Sequence, residues 1–314
     1  MTIKRVAVLM GGWSPERDVS LRSGQNVTNV LKNMGLEVLI IDVKRNLRDL
    51  TDALYDANPD FILNMLHGKG GEDGIIQGVL EIFGVPYSGS NVLSSAIAFD
   101  KEITKTLVKA VGVNVADGFC ISANELKFID SKTLEYPLVL KPTDNGSSIG
   151  IAMIKDAEEF KVIQAKQWIY GSRILIEKFI EGKDYTVLVM SGKVVGDLEI
   201  NYKNEFYDYD AKYSAGGSSH NMNHNMPNVM RRIMYSYAVK AYNACLCSGI
   251  ARVDFRYNDA FSDCSKLMRT DFKQKEYLPC FLEINTQPGM TETSLVPDIL
   301  KSKRISMEVY LEKH

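Results

Sequence analysis

The first third of the chain alternates short apolar runs with amphipathic segments. Three apolar runs predict buried strands, at residues 5–10, 37–43 and 61–66. Helical spacing of apolar residues predicts helices after each of them, the first with Ser14 as N-cap and Pro15 at its first position. The second and third helices are predicted at residues 47–57 and 75–83. This βαβαβ order favours a parallel, doubly wound sheet and therefore an α/β fold.

The rest of the chain is richer in strands. Glycine and serine cluster between Gly84 and Ser95, which indicates a domain boundary near Asn91. A helix carrying Lys101 and Lys105 is predicted next. Further strands are predicted at residues 137–141, 151–155, 174–180, 185–190, 193–200, 251–257 and 281–285, and helices at 156–168 and 229–247. Residues 202–227 are polar and aperiodic, a pattern typical of a functional lid.

Composition and charge exclude several classes of protein. The chain is 45% apolar and 24% charged, which is globular, and its net charge of -2 without a long basic run argues against nucleic acid as a partner. No apolar run approaches the ~20 residues that cross a membrane. The first strand ends in a glycine turn and not in a cleavage site, so we expect a cytoplasmic protein. Five cysteines without a regular framework are expected to be reduced thiols.

Two predicted strands carry polar side chains at alternate positions. Arg252 and Asp254 lie in one strand, and Glu283 and Asn285 lie in the other. Residues two apart in a strand face the same way, so neighbouring strands would gather all four groups. Three of them offer oxygen ligands that suit Mg²⁺ shared with phosphates, and Arg252 suits a developing oxyanion. A solvated face with ordinary ion pairs is the alternative interpretation.

A glycine–serine segment at residues 141–150, KPTDNGSSIG, separates two further predicted strands. Gly146 and Gly150 let the backbone approach a ligand closely, and consecutive N–H groups can cradle phosphate oxygens. The segment lacks the Walker pattern, and the first turn, GGWSPE, lacks GxGxxG. A phosphate loop and a flexible hairpin turn both remain open.

Five segments, in this order, resemble the motifs of D-alanine–D-alanine ligases of the ATP-grasp family: HGKGGEDG, DKEITK, KPTDNGSSIG, FYDYDAKY and EINTQPGMTETSLVP. The resemblance covers essentially the whole chain. It implies an N-terminal α/β substrate domain at 1–92, a central ATP-grasp subdomain at 93–182 and a C-terminal one at 183–314. It also implies that ATP, with Mg²⁺ or Mn²⁺, drives the joining of two D-alanine molecules through an acyl phosphate, for peptidoglycan precursors. A homodimer is expected.

The resemblance further implies roles for individual residues. ATP is expected to contact Lys101, Lys141, Ser147, Ser148, Glu177, Asp184 and Lys212. The metal ligands are expected to be Asp254, Glu283 and Asn285. The substrate is expected to contact Glu16, His67, Arg252, Gly289, Ser294 and Leu295. The catalytic set is expected to be Glu16, Ser147, Tyr213, Arg252, Gly289 and Ser294.

Three features depart from the family pattern. Asp184 stands where glutamate is usual, Gln287 replaces a commoner small or aromatic-ring residue in the NT-x-PG turn, and residues 258–279 form a long insert. None removes a group that the reaction needs. Three alternatives stay open: a ligase with another acceptor such as D-lactate, a nucleotide-binding protein without turnover, and a Rossmann-type oxidoreductase. Tyr213 after Lys212 resembles the dipeptide-forming members.

Overall fold

The N-terminal region is a parallel three-stranded sheet with helices on both faces. The computed structural model describes residues 3–202, 217–258 and 275–308. The strands, in the order β2-β1-β3, are β1 (Arg5–Gly11), β2 (Glu37–Val43) and β3 (Phe61–Asn64). The helices are α1 (Arg17–Asn33), α2 (Leu47–Ala57) and α3 (Ile75–Phe83). Along β1, Val8 faces the core that includes Val27 of α1, and Leu9 faces the core that includes Leu54 of α2. The predicted doubly wound α/β arrangement is confirmed.

The first helix begins later than its sequence signals predict. Ser14 is not the N-cap, because its hydroxyl donates to the carbonyl of His67 (2.7 Å) and accepts from the N–H of Glu16 (3.1 Å). The serine therefore ties the first turn to the loop after β3, and the helix starts at Arg17. Glu16 is left at the N-cap position, with its side chain turned away from the helix backbone.

A second, antiparallel sheet follows two linking helices. The helices are α4 (Val92–Phe99) and α5 (Lys101–Ala110), and Asp100 caps α5 by accepting from two backbone N–H groups. The sheet has the order β4-β7-β5-β6 and consists of β4 (Gly118–Ser122), β5 (Leu138–Pro142), β6 (Ala152–Ile154) and β7 (Arg173–Lys178). Its helix, α6 (Ala157–Gln164), is capped by Asp156 and ends four residues before the predicted Trp168.

The third sheet is antiparallel and has the order β10-β9-β8-β11-β12. Its strands are β8 (Lys183–Met190), β9 (Lys193–Tyr202), β10 (Ser218–Asn221), β11 (Ile250–Tyr257) and β12 (Cys280–Asn285). The associated helices are α7 (Asn228–Ala244) and α8 (Leu295–Ser302). The predicted hairpin turn between β8 and β9 is confirmed, with positive φ at Ser191 (49°) and Gly192 (74°).

One apolar core joins the first and third sheets. Val8 and Val27 of the N-terminal region share this core with Leu198 of β9, with Met290 between β12 and α8, and with Ile299 of α8. The opposite face of the third sheet packs on α7. The three sheets follow one another along the chain, and domain boundaries at residues 92 and 182 remain our proposal. Within the described ranges, no helix has both the length and the apolar character of a membrane span.

A buried carboxylate fixes β9 to α7. Asp197 of β9 has no exposed side-chain surface and accepts from His224 Nε2 (2.8 Å), Arg231 Nη2 (2.6 Å) and Tyr235 Oη (2.6 Å). Burial opposes its ionisation, but the hydrogen bonds from these three side chains outweigh burial and lower the pKa of Asp197 to about 2. The charged form of Asp197 therefore stabilises the fold.

We predict that Asp197→Asn lowers the free energy of unfolding by about 2–3 kcal/mol at neutral pH. Because the folded pKa lies below the ordinary value of about 3.9, this contribution is complete above pH ~4 and disappears as the pH falls through about 2. Urea unfolding at pH 7 and pH ~3 measures both parts. Asp52→Asn, from the exposed pair with Arg48, should change stability by less than about 0.5 kcal/mol. Equal losses for the two variants would contradict the assignment.

Candidate active site

Two adjoining cavities lie between the sheets. The first cavity has about 920 Å³ of open volume and is lined by residues of all three regions, among them Glu16, His67 and Ser294. The second cavity has about 950 Å³ and lies between the second and third sheets, where Lys141 and Asp184 line it. Lys101, Asn145 and Glu283 line both cavities. A group bound in either cavity can therefore contact the same three side chains.

The glycine–serine segment is the connection between β5 and β6 and also borders both cavities. It is a hairpin loop, but a strained one: Ser147 and Ser148 have φ of 50° and 60°, which L-residues rarely adopt. The hydroxyl of Ser147 donates to the carboxylate of Glu16, 131 residues away. A Cβ at Gly146 would lie 2.8 Å from Glu16 Oε2, so a larger residue here would displace the end of the Glu16 side chain. The loop thus links the second sheet to the N-terminal region.

A buried charged triad forms the floor of the second cavity. Glu177 of β7 contacts the ammonium groups of both Lys141 on β5 and Lys105 on α5. Burial disfavours the carboxylate, but the two lysines overcome this and lower the pKa of Glu177 to about 2. Lys101 and Lys105 stand one turn apart on α5, and this spacing is the sequence signal that could have identified Lys105. Lys141 and Glu177 line the second cavity, and Lys105 is buried beside Glu177.

The two polar strands, β11 and β12, are antiparallel neighbours. Arg252 stands opposite Asn285, and Asp254 stands opposite Glu283, so the structure brings the four predicted side chains together. Arg252 Nη2 lies 2.9 Å from Asp254 Oδ2, and Thr186 donates to the other oxygen of Asp254 (2.6 Å). Here Arg252 is therefore paired with a carboxylate.

The donors at this strand pair fit a hard divalent cation. Asp254, Glu283 and Asn285 supply only oxygen atoms, and Asn285 Oδ1 is held in place by the N–H of Gln287 (2.7 Å). Glu283 also lies 3.4 Å from Lys101 Nζ. Among the described residues, no cluster of three or more His, Cys, Asp or Glu side chains forms a metal site. A cation here would need the amide and ligand oxygens besides the two carboxylates, which is how Mg²⁺ binds with phosphates.

Two groups of polar side chains line the first cavity. In the first group, Glu16 is 6% exposed, and the Nε2 of buried His67 lies 3.2 Å from Ser23 Oγ. In the second group, Ser294 precedes α8 and its hydroxyl lies 2.7 Å from that of Thr291. A helix N-terminus with hydroxyl groups favours a carboxylate, whereas Glu16 favours a cation. This cavity therefore suits a zwitterionic ligand or a pair of them.

The turn after β12 is attached to the N-terminal region, which sequence reasoning did not foresee. The side chain of Gln287 donates to the carbonyl of Asn64. Met290 is held from both sides, because its N–H donates to Ser23 Oγ (3.2 Å) and its carbonyl accepts from Asn26 Nδ2 (2.7 Å). These partners are separated by more than 200 residues, so no local pattern could reveal them. Gly289, a predicted site residue, lies inside this turn and lines the first cavity, as does Leu295.

Some predicted residues have other surroundings. Asp184 lines the second cavity, accepts from Tyr202 Oη (2.6 Å) and lies 3.6 Å from Arg256 Nε. Ser148 lines the same cavity. Lys212 and Tyr213, with most of the predicted lid at 202–227, lie outside the described residues.

An N-terminal α/β domain, two antiparallel sheets with a cavity between them, and a lysine-bearing floor together define an ATP-grasp protein. Residues 107–313 match the family described as "D-ala D-ala ligase C-terminus", and residues 44–90 match "D-ala D-ala ligase N-terminus". The chain belongs to the D-alanine–D-alanine ligase family.

Individual relatives agree with this assignment. The D-alanine–D-alanine ligase of Brucella anthropi is 43% identical over 310 residues, covering 98% of this chain and 95% of the relative. That of Rhodopseudomonas palustris strain BisB18 is 41% identical, covering 97% and 94%. The crystal structure of the Bacillus anthracis D-alanine–D-alanine ligase complexed with ATP superposes with a TM-score of 0.81 at 30% identity, covering 99% and 95%.

Proposed function

We propose that this chain uses ATP to join two D-alanine molecules into D-alanyl-D-alanine, a building block of peptidoglycan. The observation that carries the proposal is the wall that the two cavities share, formed by Lys101, Asn145 and Glu283. It puts a cavity lined mainly by polar side chains next to one with a more apolar lining. A transfer of phosphate from one ligand to the other needs that juxtaposition.

The second cavity suits ATP. Its apolar lining, which includes Val139, Phe179 and Leu282, suits a purine ring, and Lys141 and Lys101 supply positive charge for phosphates. We assign Glu177 to the adenine, Asp184 to the ribose hydroxyls, and Ser147 and Ser148 to the triphosphate. Mg²⁺ or Mn²⁺ held by Asp254, Glu283 and Asn285 would neutralise phosphate charge. The roles of Lys212 and Tyr213 remain predictions from the sequence.

The first cavity suits the two D-alanine molecules. Glu16 pairs with the ammonium of the first one, beside His67, and directs its carboxylate towards the shared wall. Ser294 and the backbone of Leu295 receive the carboxylate of the second at the start of α8. The negative charge of Glu16 and the positive helix N-terminus at Ser294 therefore orient the two substrates in one direction.

The reaction proceeds in two steps. The carboxylate oxygen of the first D-alanine bonds to the γ-phosphorus, the bond to ADP breaks, and Lys101 and Lys141 neutralise the charge. The amine of the second D-alanine then attacks the acyl carbon, and Arg252 with the N–H of Gly289 stabilises the oxyanion. The carbon–oxygen bond to phosphate breaks, a proton leaves the amine, and the dipeptide remains. Arg252 must give up its pairing with Asp254 to take this role.

The alternatives now separate. The oxidoreductase interpretation is wrong, because the chain belongs to a ligase family. An acceptor such as D-lactate and a protein without turnover remain candidates, although a silent binder has no need for Arg252 beside the acyl position. We also propose a homodimer located in the cytoplasm, both on the sequence resemblance alone.

The decisive assay compares acceptors. We expect ADP release with D-alanine and not with L-alanine, and a product with the mass of D-alanyl-D-alanine. An ester formed with added D-lactate at a comparable rate would favour the other acceptor. ADP release that ignores D-alanine would contradict ligase function.

Glu283→Ala tests the metal assignment. The change removes a charged oxygen ligand from a site with two carboxylates, so we expect turnover to fall at least about tenfold to a hundredfold and the Mg²⁺ requirement to rise. Titration of activity with Mg²⁺ measures both effects. Glu292→Ala, an exposed glutamate of the same segment, is the matched control and should keep the original Mg²⁺ dependence. An unchanged titration for Glu283→Ala would remove Glu283 from the metal site.

Glu16→Gln tests the substrate assignment. The variant keeps the size of the side chain but loses the charge that we pair with the ammonium of D-alanine. We expect kcat/KM for D-alanine to fall sharply while thermal stability stays nearly the same. If Glu16 serves only the N-terminus of α1, the variant loses about 0.3–1 kcal/mol of stability and keeps its activity. A less stable but fully active variant would therefore refute the substrate role.

A further inference from the structure

Gln287 connects the two sides of the first cavity. Its side-chain Nε2 donates to the carbonyl of Asn64 at the end of β3, and Gln287 is only 6% exposed. Its own carbonyl lies 3.2 Å from His67 Nδ1. Its N–H donates to Asn285 Oδ1 (2.7 Å). One residue thus touches the N-terminal region, a residue assigned to the first substrate and a proposed metal ligand.

Asn64, whose carbonyl accepts from Gln287, is itself held by several hydrogen bonds. Asn64 is fully buried, and its N–H donates to Ser88 Oγ (2.9 Å). Its side chain donates to the carbonyl of Gly71 (3.1 Å) and accepts from the N–H of Leu66 (3.1 Å). The carbonyl that accepts from Gln287 therefore belongs to the last residue of β3, which three other hydrogen bonds hold in place. Any displacement across this contact must move the turn that carries Gln287.

The contact with Asn64 requires a hydrogen-bond donor in the side chain at position 287. The partner atom is a carbonyl oxygen, so the side chain must present a donor, which a methionine or an ionised glutamate lacks. On the oxygen side of the same amide, a Cβ on Gly89 would lie 3.1 Å from Gln287 Oε1, which leaves little space there. Gln287 is not among the described residues that line either cavity. It can therefore act on the substrates only through its neighbours.

We infer that Gln287 is a positioning residue that keeps the oxyanion and metal side of the site in register with the first D-alanine. This inference rests on the proposed function. Gln287 lies in the turn after β12, between Asn285 and Gly289. Its partner Asn64 ends β3, and the loop that follows β3 carries His67. Without the contact, the acyl carbon and the N–H of Gly289 lose their alignment.

Misalignment has a chemical signature. An acyl phosphate that the second D-alanine does not reach is attacked by water: the water oxygen bonds to the acyl carbon, the bond to phosphate breaks, and D-alanine returns with a proton released. ATP is then consumed without dipeptide. A change that is merely destabilising lowers the amount of folded enzyme and leaves the ratio of phosphate to dipeptide unchanged.

The chain offers a matched control. Gln77 is 3% exposed, and its Nε2 donates to the carbonyl of Gly71 (2.9 Å), so the contact stays within the N-terminal region. Gln77→Met and Gln287→Met remove the same kind of buried side-chain donor. They differ in whether that donor crosses between the two sides of the cavity.

The experiment measures inorganic phosphate and dipeptide together for the wild type and both variants. For Gln287→Met we expect a ratio severalfold above the equimolar wild-type value, a dipeptide kcat lower by about tenfold or more, and a nearly unchanged KM for ATP. Gln77→Met should keep the equimolar ratio. An equimolar ratio for Gln287→Met, or an equal rise for Gln77→Met, would overturn the inference.

A second variant guards against loss of folding. Gln287→Glu keeps the volume of the side chain but opposes a carboxylate to the Asn64 carbonyl, and it should raise the ratio likewise. If neither Gln287 variant folds while Gln77→Met does, as judged by circular dichroism, Gln287 is a folding determinant and the inference is wrong. A wild type that forms no dipeptide from D-alanine would instead refute the proposed function itself.

Discussion

The packing of the N-terminal sheet against the third sheet is the contact on which the site depends. Neither region holds all the groups of the proposed site, because Glu16 and His67 come from the first and Asn285 and Ser294 from the last. Val8, Leu198 and Ile299 share the core between them, and each such side chain contributes about 1.5–3 kcal/mol when fully buried. Burial of these apolar side chains holds the two regions together, but it does not fix their relative orientation. Hydrogen bonds that Asn26 and Gln287 donate and that Ser23 accepts supply the direction.

The charged groups follow the same division of labour. Asp197 and Glu177 are both buried carboxylates with pKa values lowered to about 2. Asp197 binds side chains that stay in place and so holds β9 to α7. Glu177 contacts two buried lysines, of which Lys141 lines the second cavity. The first arrangement joins two elements of the fold, and in the proposed function Lys141 of the second faces the phosphates of ATP.

Local patterns in the sequence predicted much of this molecule. Alternation in two strands placed Asp254 beside Glu283 because strand periodicity is a local property. Hydrophobic spacing located α2 and α3 for the same reason. The start of α1 was misjudged because Ser14 bonds to His67, a distant partner. Lys105 at Glu177 and Gln287 at Asn64 were missed since their meaning arises only when remote segments meet.

The wall shared by the two cavities also has a meaning for inhibitors. A single molecule with an amino-acid end in one cavity and a nucleotide end in the other would contact Lys101, Asn145 and Glu283 with both of its ends. Once one end is bound, the other is presented at high effective concentration, so the linked compound should bind far more tightly than its parts. The tether must be short, because both cavities border the same three side chains. A compound of this kind would measure, by its affinity, how close the two substrates stand.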